Sequence, residues 1–81
     1  MLPVDSIKEL GLLGERLRAW RIRAEQTQDD FAARIGVSVP TLRRMEQGDP
    51  NTAIRYWAEA IDLLGRGQDI QNILREQRSL F

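Results

Sequence analysis

The segment from Gln28 to Gly48 carries the side chains best suited to binding chemistry. It contains two short stretches with helical spacing, separated by Gly36, a residue type that readily takes the left-handed conformation of a sharp turn. The polar side chains left to face outward on the second stretch are Thr41, Arg43, Arg44 and Gln47. In such an arrangement the second helix enters the major groove of DNA, where arginine commonly binds guanine. The spacing therefore favours contact with nucleic acid.

The composition argues against an enzyme. The 81 residues include no cysteine and no histidine, which excludes disulfides, thiolate zinc sites, cysteine nucleophiles and histidine bases. The carboxylates show no paired arrangement, and the sequence has no phosphate-binding loop. We therefore expect no catalytic residue, no metal and no cofactor.

The charge balance is compatible with two kinds of function. The net charge is zero, with 12 basic and 12 acidic residues. Between Arg16 and Arg55, however, eight arginines stand against five acids, so that this part has an excess of three positive charges. Such a region can present a basic face to a phosphate backbone. Overall neutrality also suits a protein-interaction module that does not bind DNA, and this alternative stays open.

Glycine and proline interrupt a sequence that otherwise has helical spacing, and β-branched residues form no run. The pattern predicts an all-α fold of about five short helices. An S-x-x-E capping box at Ser6 and Glu9 predicts a short N-terminal helical turn. The helices expected after it cover approximately residues 13–24, 28–35, 39–47, 52–64 and 68–78.

Small residues and caps define the two helices around Gly36. Thr27 and Ser38 each precede a helical run as N-cap residues, and Pro40 falls in the first turn of the second run. Ala32 provides the small side chain where the two helices approach most closely. The apolar side chains expected on their inner side are Phe31, Ile35, Val37, Leu42 and Met45.

Apolar positions in the other helices predict the rest of the core. In the first helix these positions are Leu13, Leu17, Trp20 and Ala24. In the fourth helix, which Asn51 or Thr52 is expected to cap, they are Ile54, Trp57, Ala58, Ile61 and Leu64. Tryptophans at helical spacing among aliphatic residues are expected in the core rather than in contact with bases.

The span from Gly14 to Gly65 resembles the Xre/Cro/phage-repressor family. The matching motifs are Thr27-Gln28, the spacing from Ala32 to Gly36, and the run from Thr41 to Gly48. The resemblance implies a lambda-repressor-like bundle that contains a helix-turn-helix. It also implies binding to a double-stranded DNA operator as a homodimer.

The expected DNA contacts fall into two groups. The side chains expected to read bases are Arg44, Arg43, Thr41 and Val39. The side chains expected to contact the DNA backbone are Gln28, Thr27, Gln47 and Arg23. For Arg44 and Gln28 the role is what the family resemblance implies, and Thr41 and Gln47 also match backbone-contact positions of the family. The angle of Arg43 on its helix directs it more towards phosphate than towards a base.

Two places depart from the family pattern. Val39 and Pro40 stand where many members have a polar reader, so Val39 is left to touch a thymine methyl group. Glu25 and Gln26 replace the usual glycine-apolar step, which predicts a strained or longer loop. The resemblance further implies that Arg21 and Glu46 form a structural ion pair.

The segment from Val37 to Gly65 contains a Val-x-Val-Pro-Thr-Leu-Arg-Arg core (residues 37–44), a Gly-Asp-Pro-Asn turn (residues 48–51) and an Ala-Ile-x-x-Leu-Gly ending (residues 60–65). In these motifs it is most similar to small HipB-type antitoxins, which are encoded beside HipA-type kinases. Two kinds of protein share this DNA-binding module. One is a HipB-like autorepressor that also holds a HipA-type kinase toxin inactive, and the other is a stand-alone repressor, so both interpretations stay open. The residues expected to contact a dimer mate or a partner are Ile70, Ile73, Leu74, Leu80 and Phe81. The same helix can instead fold back onto the domain's own core.

The sequence also predicts domain boundaries and location. Residues 1–12 are expected to form an N-terminal extension, residues 13–65 the helix-turn-helix domain, and residues 66–81 a C-terminal helix and tail. The first ten residues carry Asp5, Lys8 and Glu9, and acids within this segment do not fit the basic and then apolar pattern of a signal peptide. No apolar run approaches the ~18 residues of a membrane span. We therefore expect a cytoplasmic protein without membrane contact.

Overall fold

The computed structural model describes residues 4–76, which form five α-helices and no strand. The helices are α1 (Val4–Arg23), α2 (Gln28–Ile35), α3 (Val39–Glu46), α4 (Ile54–Leu63) and α5 (Gly67–Asn72). The predicted all-α bundle of about five helices is confirmed. No helix in this part of the chain is both long and apolar enough to cross a membrane.

Helix α1 is continuous, so the prediction of a separate N-terminal turn capped by Ser6 is wrong. Ser6 lies inside the helix, and the helix passes through Gly11 and Gly14 without a break. Packing explains why the glycines are tolerated. A Cβ atom on Gly14 would lie 2.5 Å from the carbonyl oxygen of Glu46, and one on Gly48 would lie 2.5 Å from that of Leu10. This close backbone contact with the end of α3 outweighs the weak helix propensity of glycine.

Helices α2 and α3 begin and end where local signals predict. Thr27 Oγ1 accepts a hydrogen bond from the backbone N–H of Asp30 at 3.1 Å, and Ser38 Oγ accepts one from that of Thr41 at 3.2 Å. Gly36 ends α2 with a φ angle of 78°. The predicted N-caps and the turn are confirmed. They could be predicted because each depends only on residues within one helical turn.

The core lies between α2 and α3 and is closed by α1 and α4. Its buried members are Leu17, Phe31, Ala32, Ile35, Leu42, Met45 and Ala60. The inner side predicted for α2 and α3 is confirmed, with Val37 half-buried against this core. Each large buried side chain contributes roughly 1.5–3 kcal/mol of hydrophobic stabilisation. Two predicted core positions of α1 are wrong, because Leu13 and Ala24 are exposed and only Leu17 of that face is buried.

The start of α4 differs from the prediction. Neither Asn51 nor Thr52 caps it: the N-cap residue is Ala53, whose side chain makes no capping hydrogen bond. The hydroxyl of Thr52 instead donates to the carbonyl oxygen of Asp49 at 3.1 Å and accepts from the indole N–H of Trp57 at 3.3 Å. This hydroxyl is therefore engaged with the preceding turn and with a side chain of α4 rather than with the first backbone N–H groups of the helix. Helix α4 begins at Ile54, later than predicted. Ile54, predicted in the core, is exposed.

Helix α5 is shorter than predicted and ends at Asn72 rather than Arg78. Ile73 adopts an extended conformation, and Leu74 has a φ angle of 58°. Both side chains are exposed, at 63% and 98%, so no packing supports a longer helix. The predicted contact residues Leu80 and Phe81 lie outside the described residues.

Candidate nucleic-acid interface

Helix α3 has two sharply different sides. Leu42 and Met45 are fully buried and fix the helix on the core. Arg43, Arg44 and Gln47 are exposed, and Thr41 and Val39 are half-buried. The helix therefore presents a polar surface on a rigid support, as a helix inserted into a DNA groove requires.

Side-chain hydrogen bonds hold Arg44 in place on this surface. Arg44 Nη2 donates to Thr41 Oγ1 at 2.9 Å, and Ser38 Oγ donates to the same oxygen at 3.0 Å. Arg44 thus retains other guanidinium N–H groups for a base edge or a phosphate. Ser38 was predicted only as a cap; its hydrogen bond to Thr41 depends on the fold of α3 and has no separate sequence signal.

Gln28, at the start of α2, connects the surface of α3 with the interior. Its Nε2 donates to Glu46 Oε1 at 3.2 Å, and its Oε1 accepts from Arg43 Nε at 3.4 Å. The structure thus brings together Gln28 and Arg43, which the sequence placed in separate groups of DNA contacts. Both side chains lie at the N-terminal end of α2, where free backbone N–H groups favour an anion.

Arg21 and Glu46 form a buried ion pair between α1 and the end of α3. Arg21 Nε lies 2.7 Å from Glu46 Oε2, and Nη2 donates to Oε1 at 3.3 Å. Their side chains are only 8% and 4% exposed. Arg21 Nη1 also donates to the carbonyl oxygen of Gln26 at 2.8 Å. The pair thereby joins α1, the loop after it and the end of α3.

The comparison with known families agrees with this geometry. A family model described as a helix-turn-helix domain matches residues 12–71, about three quarters of the chain. The chain belongs to the helix-turn-helix domain family. No curated protein and no solved structure matches it. Membership in this DNA-binding family is therefore shown, and the predicted division of the chain at residues 12 and 65 stays a prediction.

The loop between α1 and α2 of this helix-turn-helix domain is strained at one residue. Glu25 has a φ angle of 58°, a conformation that glycine adopts without penalty and other residues rarely adopt. The strain expected from the departure at Glu25 and Gln26 is confirmed. The Oε1 atom of Gln26 is also buried and accepts no hydrogen bond from any described residue.

Two residues predicted to contact the DNA backbone, Arg23 and Thr27, also make contacts within the helix-turn-helix domain, and their DNA contacts stay predictions. The guanidinium of Arg23 lies over the indole ring of Trp20, 4.8 Å from its centroid, and Arg66 lies over the same ring at 4.6 Å. The hydroxyl of Thr27 caps α2. The contact between Arg66 and Trp20 was not predicted, because the two residues are far apart in the sequence.

An apolar groove runs between α1, α4 and α5 of the helix-turn-helix domain. Its volume is about 640 Å³. Its apolar lining includes Leu10, Leu13, Leu17, Trp57, Ile61, Ile70 and Ile73. Of the predicted partner contacts, Ile70 and Ile73 therefore line one groove, whereas Leu74 is almost fully exposed beside it.

Proposed function

We propose that the protein is a transcriptional repressor that binds a palindromic DNA operator as a homodimer. The observation that carries this proposal is the arrangement of α3: Leu42 and Met45 are fully buried, while Arg43 and Arg44 project from the other side and are held by Gln28 and Thr41. Side chains held in place lose little entropy on binding, which favours specific contacts.

Each contact has a stated chemical role in this proposal. Arg44 binds the O6 and N7 atoms of a guanine through its free N–H groups, and Val39 contacts a thymine methyl group. Gln28 and Gln47 bind phosphates on either side of α3 and fix the register of the protein. Arg43, held by Gln28, adds a phosphate contact beside it.

The apolar groove supports the homodimer. We propose that a second copy of the chain covers Ile70 and Ile73, which are 36% and 63% exposed in one copy. Covering them removes apolar surface from water at roughly 25 cal/mol per Å². The two α3 helices must then lie one DNA turn apart, about 34 Å, to read the two half-sites.

A HipB-like antitoxin role is a narrower form of the proposal. It is supported by the motifs between Val37 and Gly65 and by the exposed surface at Leu74, next to the groove. Co-expression with a kinase encoded by the neighbouring gene tests it. Copurification of a stable complex supports the antitoxin role, and separate elution of the two proteins favours a stand-alone repressor.

Fluorescence anisotropy tests the main proposal. The full chain is titrated into labelled DNA from upstream of its own gene and into a scrambled fragment, each at two salt concentrations. We expect tighter binding to the native fragment and a steep fall of affinity with salt, because each phosphate contact releases counterions. Absence of binding, or equal binding to both fragments, would contradict the proposal and favour a protein-interaction module.

A further inference from the structure

A second cavity opens beside the loop between α1 and α2. It has a volume of about 360 Å³ and is separate from the surface of α3. We call it the loop pocket and define it by Trp20, Arg23, Gln26, Phe31, Arg34 and Leu64. Its volume lies at the lower end of the range found for small-molecule sites.

The loop pocket is positively charged. Arg23 and Arg34 both line it, and no acidic residue is among its lining residues. Within residues 4–76, neither arginine lies within ion-pair distance of a carboxylate. Arg23 is held in place by stacking on Trp20, which leaves the edge of its guanidinium available for a bidentate contact. Two guanidinium groups around one cavity favour an anionic ligand.

Gln26 adds a hydrogen-bonding group to this pocket. Because its buried Oε1 accepts no hydrogen bond from the described residues, rotating the amide towards the cavity breaks none. A buried acceptor without a partner is costly, so a ligand that donates an N–H or O–H group would relieve that cost. Among the apolar lining residues, Leu63 and Leu64 have exposed surface, whereas Phe31 is buried in the core.

We propose that the loop pocket binds a small organic acid that has a carboxylate, a flat apolar body and one hydrogen-bond donor. The carboxylate pairs with Arg23 and Arg34, the body packs against Leu63 and Leu64, and the donor binds Gln26. Binding takes place on the free protein, so it does not depend on the proposed DNA-binding function.

Heteronuclear NMR of the full chain, labelled with nitrogen-15, tests the proposal with 4-hydroxyphenylacetate as the probe. A Trp57→Phe variant identifies the indole signal of Trp20. We expect saturable shifts of the Trp20 indole and of the Gln26 side-chain amide, with a midpoint in the roughly millimolar range for a ligand of this size. The neutral analogue 4-hydroxyphenylacetamide should bind about tenfold more weakly or not at all, because it lacks the charge.

Two arginine variants locate the binding. Arg34→Gln should weaken the probe about five- to tenfold, because it removes one charge-assisted contact at an exposed position. Arg18→Gln, an exposed residue of α1 outside the pocket, should leave the midpoint unchanged. Gln26→Leu should also weaken binding of the probe. It provides a second test if Arg34→Gln folds poorly.

Three results would overturn the proposal: no saturable shift at Trp20 and Gln26 up to about 20 mM probe, equal binding of the acid and the amide, or equal binding to wild type and Arg34→Gln. Loss of operator binding would not affect the interpretation, because no DNA is present in the experiment.

Discussion

The buried ion pair of Arg21 and Glu46 provides the sharpest test of how the domain is held together. Glu46 accepts hydrogen bonds from Arg21 Nε, from Arg21 Nη2 and from Gln28 Nε2. Glu46→Ala removes all three and leaves a guanidinium that is only 8% exposed without its carboxylate. Removing one partner of a buried pair typically costs about 3–5 kcal/mol. We expect about 3 kcal/mol here, because Arg21 keeps its hydrogen bond to the Gln26 carbonyl.

This loss is large relative to the whole stability of the domain. Folded domains are stable by about 5–15 kcal/mol, and one of this size belongs near the lower limit. Urea denaturation followed by tryptophan fluorescence measures the change, and a loss of 3 kcal/mol shifts the midpoint by roughly 1–3 M at the slopes usual for small domains.

The matched control is the second ion pair of the described residues, Arg66–Asp69. It lies on the surface, with side chains 43% and 51% exposed, so Asp69→Ala should cost no more than about 1 kcal/mol. Joint replacement of the buried pair by Arg21→Met and Glu46→Leu should recover part of the lost stability, because no unpaired charge remains. Equal losses for Glu46→Ala and Asp69→Ala would refute the reasoning.

Three further predictions follow from individual contacts. Glu25→Gly should raise the free energy of unfolding by roughly 1 kcal/mol, because the φ angle of 58° suits glycine; no gain in urea denaturation would contradict the strain. Gly14→Ala should lower it by about 1–3 kcal/mol, because the added Cβ overlaps the carbonyl oxygen of Glu46 at 2.5 Å; a neutral result by thermal unfolding would show that α1 can move away. Gln28→Ala should weaken binding to native and scrambled DNA by the same factor, about fivefold; an anisotropy titration in which only native DNA is affected would contradict a phosphate-binding role.

Those parts of the fold that depend on neighbouring residues could be predicted from the sequence. Thr27, Gly36 and Ser38 act within one helical turn, so the bounds of α2 and α3 follow from local chemistry. The continuity of α1 could not be predicted, because it depends on contact between Gly14 and the distant end of α3. The same is true of the late start of α4, where the hydroxyl of Thr52 is used elsewhere.

The candidate site shows a similar division. Residue types and spacing were enough to place Arg43 and Arg44 outward and Leu42 inward, because a helix repeats every 3.6 residues. The hydrogen bonds from Gln28 to Glu46 and from Arg43 to Gln28 could not be predicted, since they depend on how α2 meets α3. The position of Arg23 over Trp20 likewise depends on the tertiary fold.

The most direct test of the central claim compares Arg44→Ala with Arg18→Ala on native and scrambled DNA by fluorescence anisotropy. Both variants lose one exposed arginine, so the change in net charge is the same. If α3 reads bases through Arg44, Arg44→Ala loses about 1–3 kcal/mol of binding free energy on the native fragment and much less on the scrambled one. Arg18→Ala should then leave the preference for native DNA intact. Unchanged affinity and preference in Arg44→Ala would contradict the assignment of α3 as the helix that reads the operator.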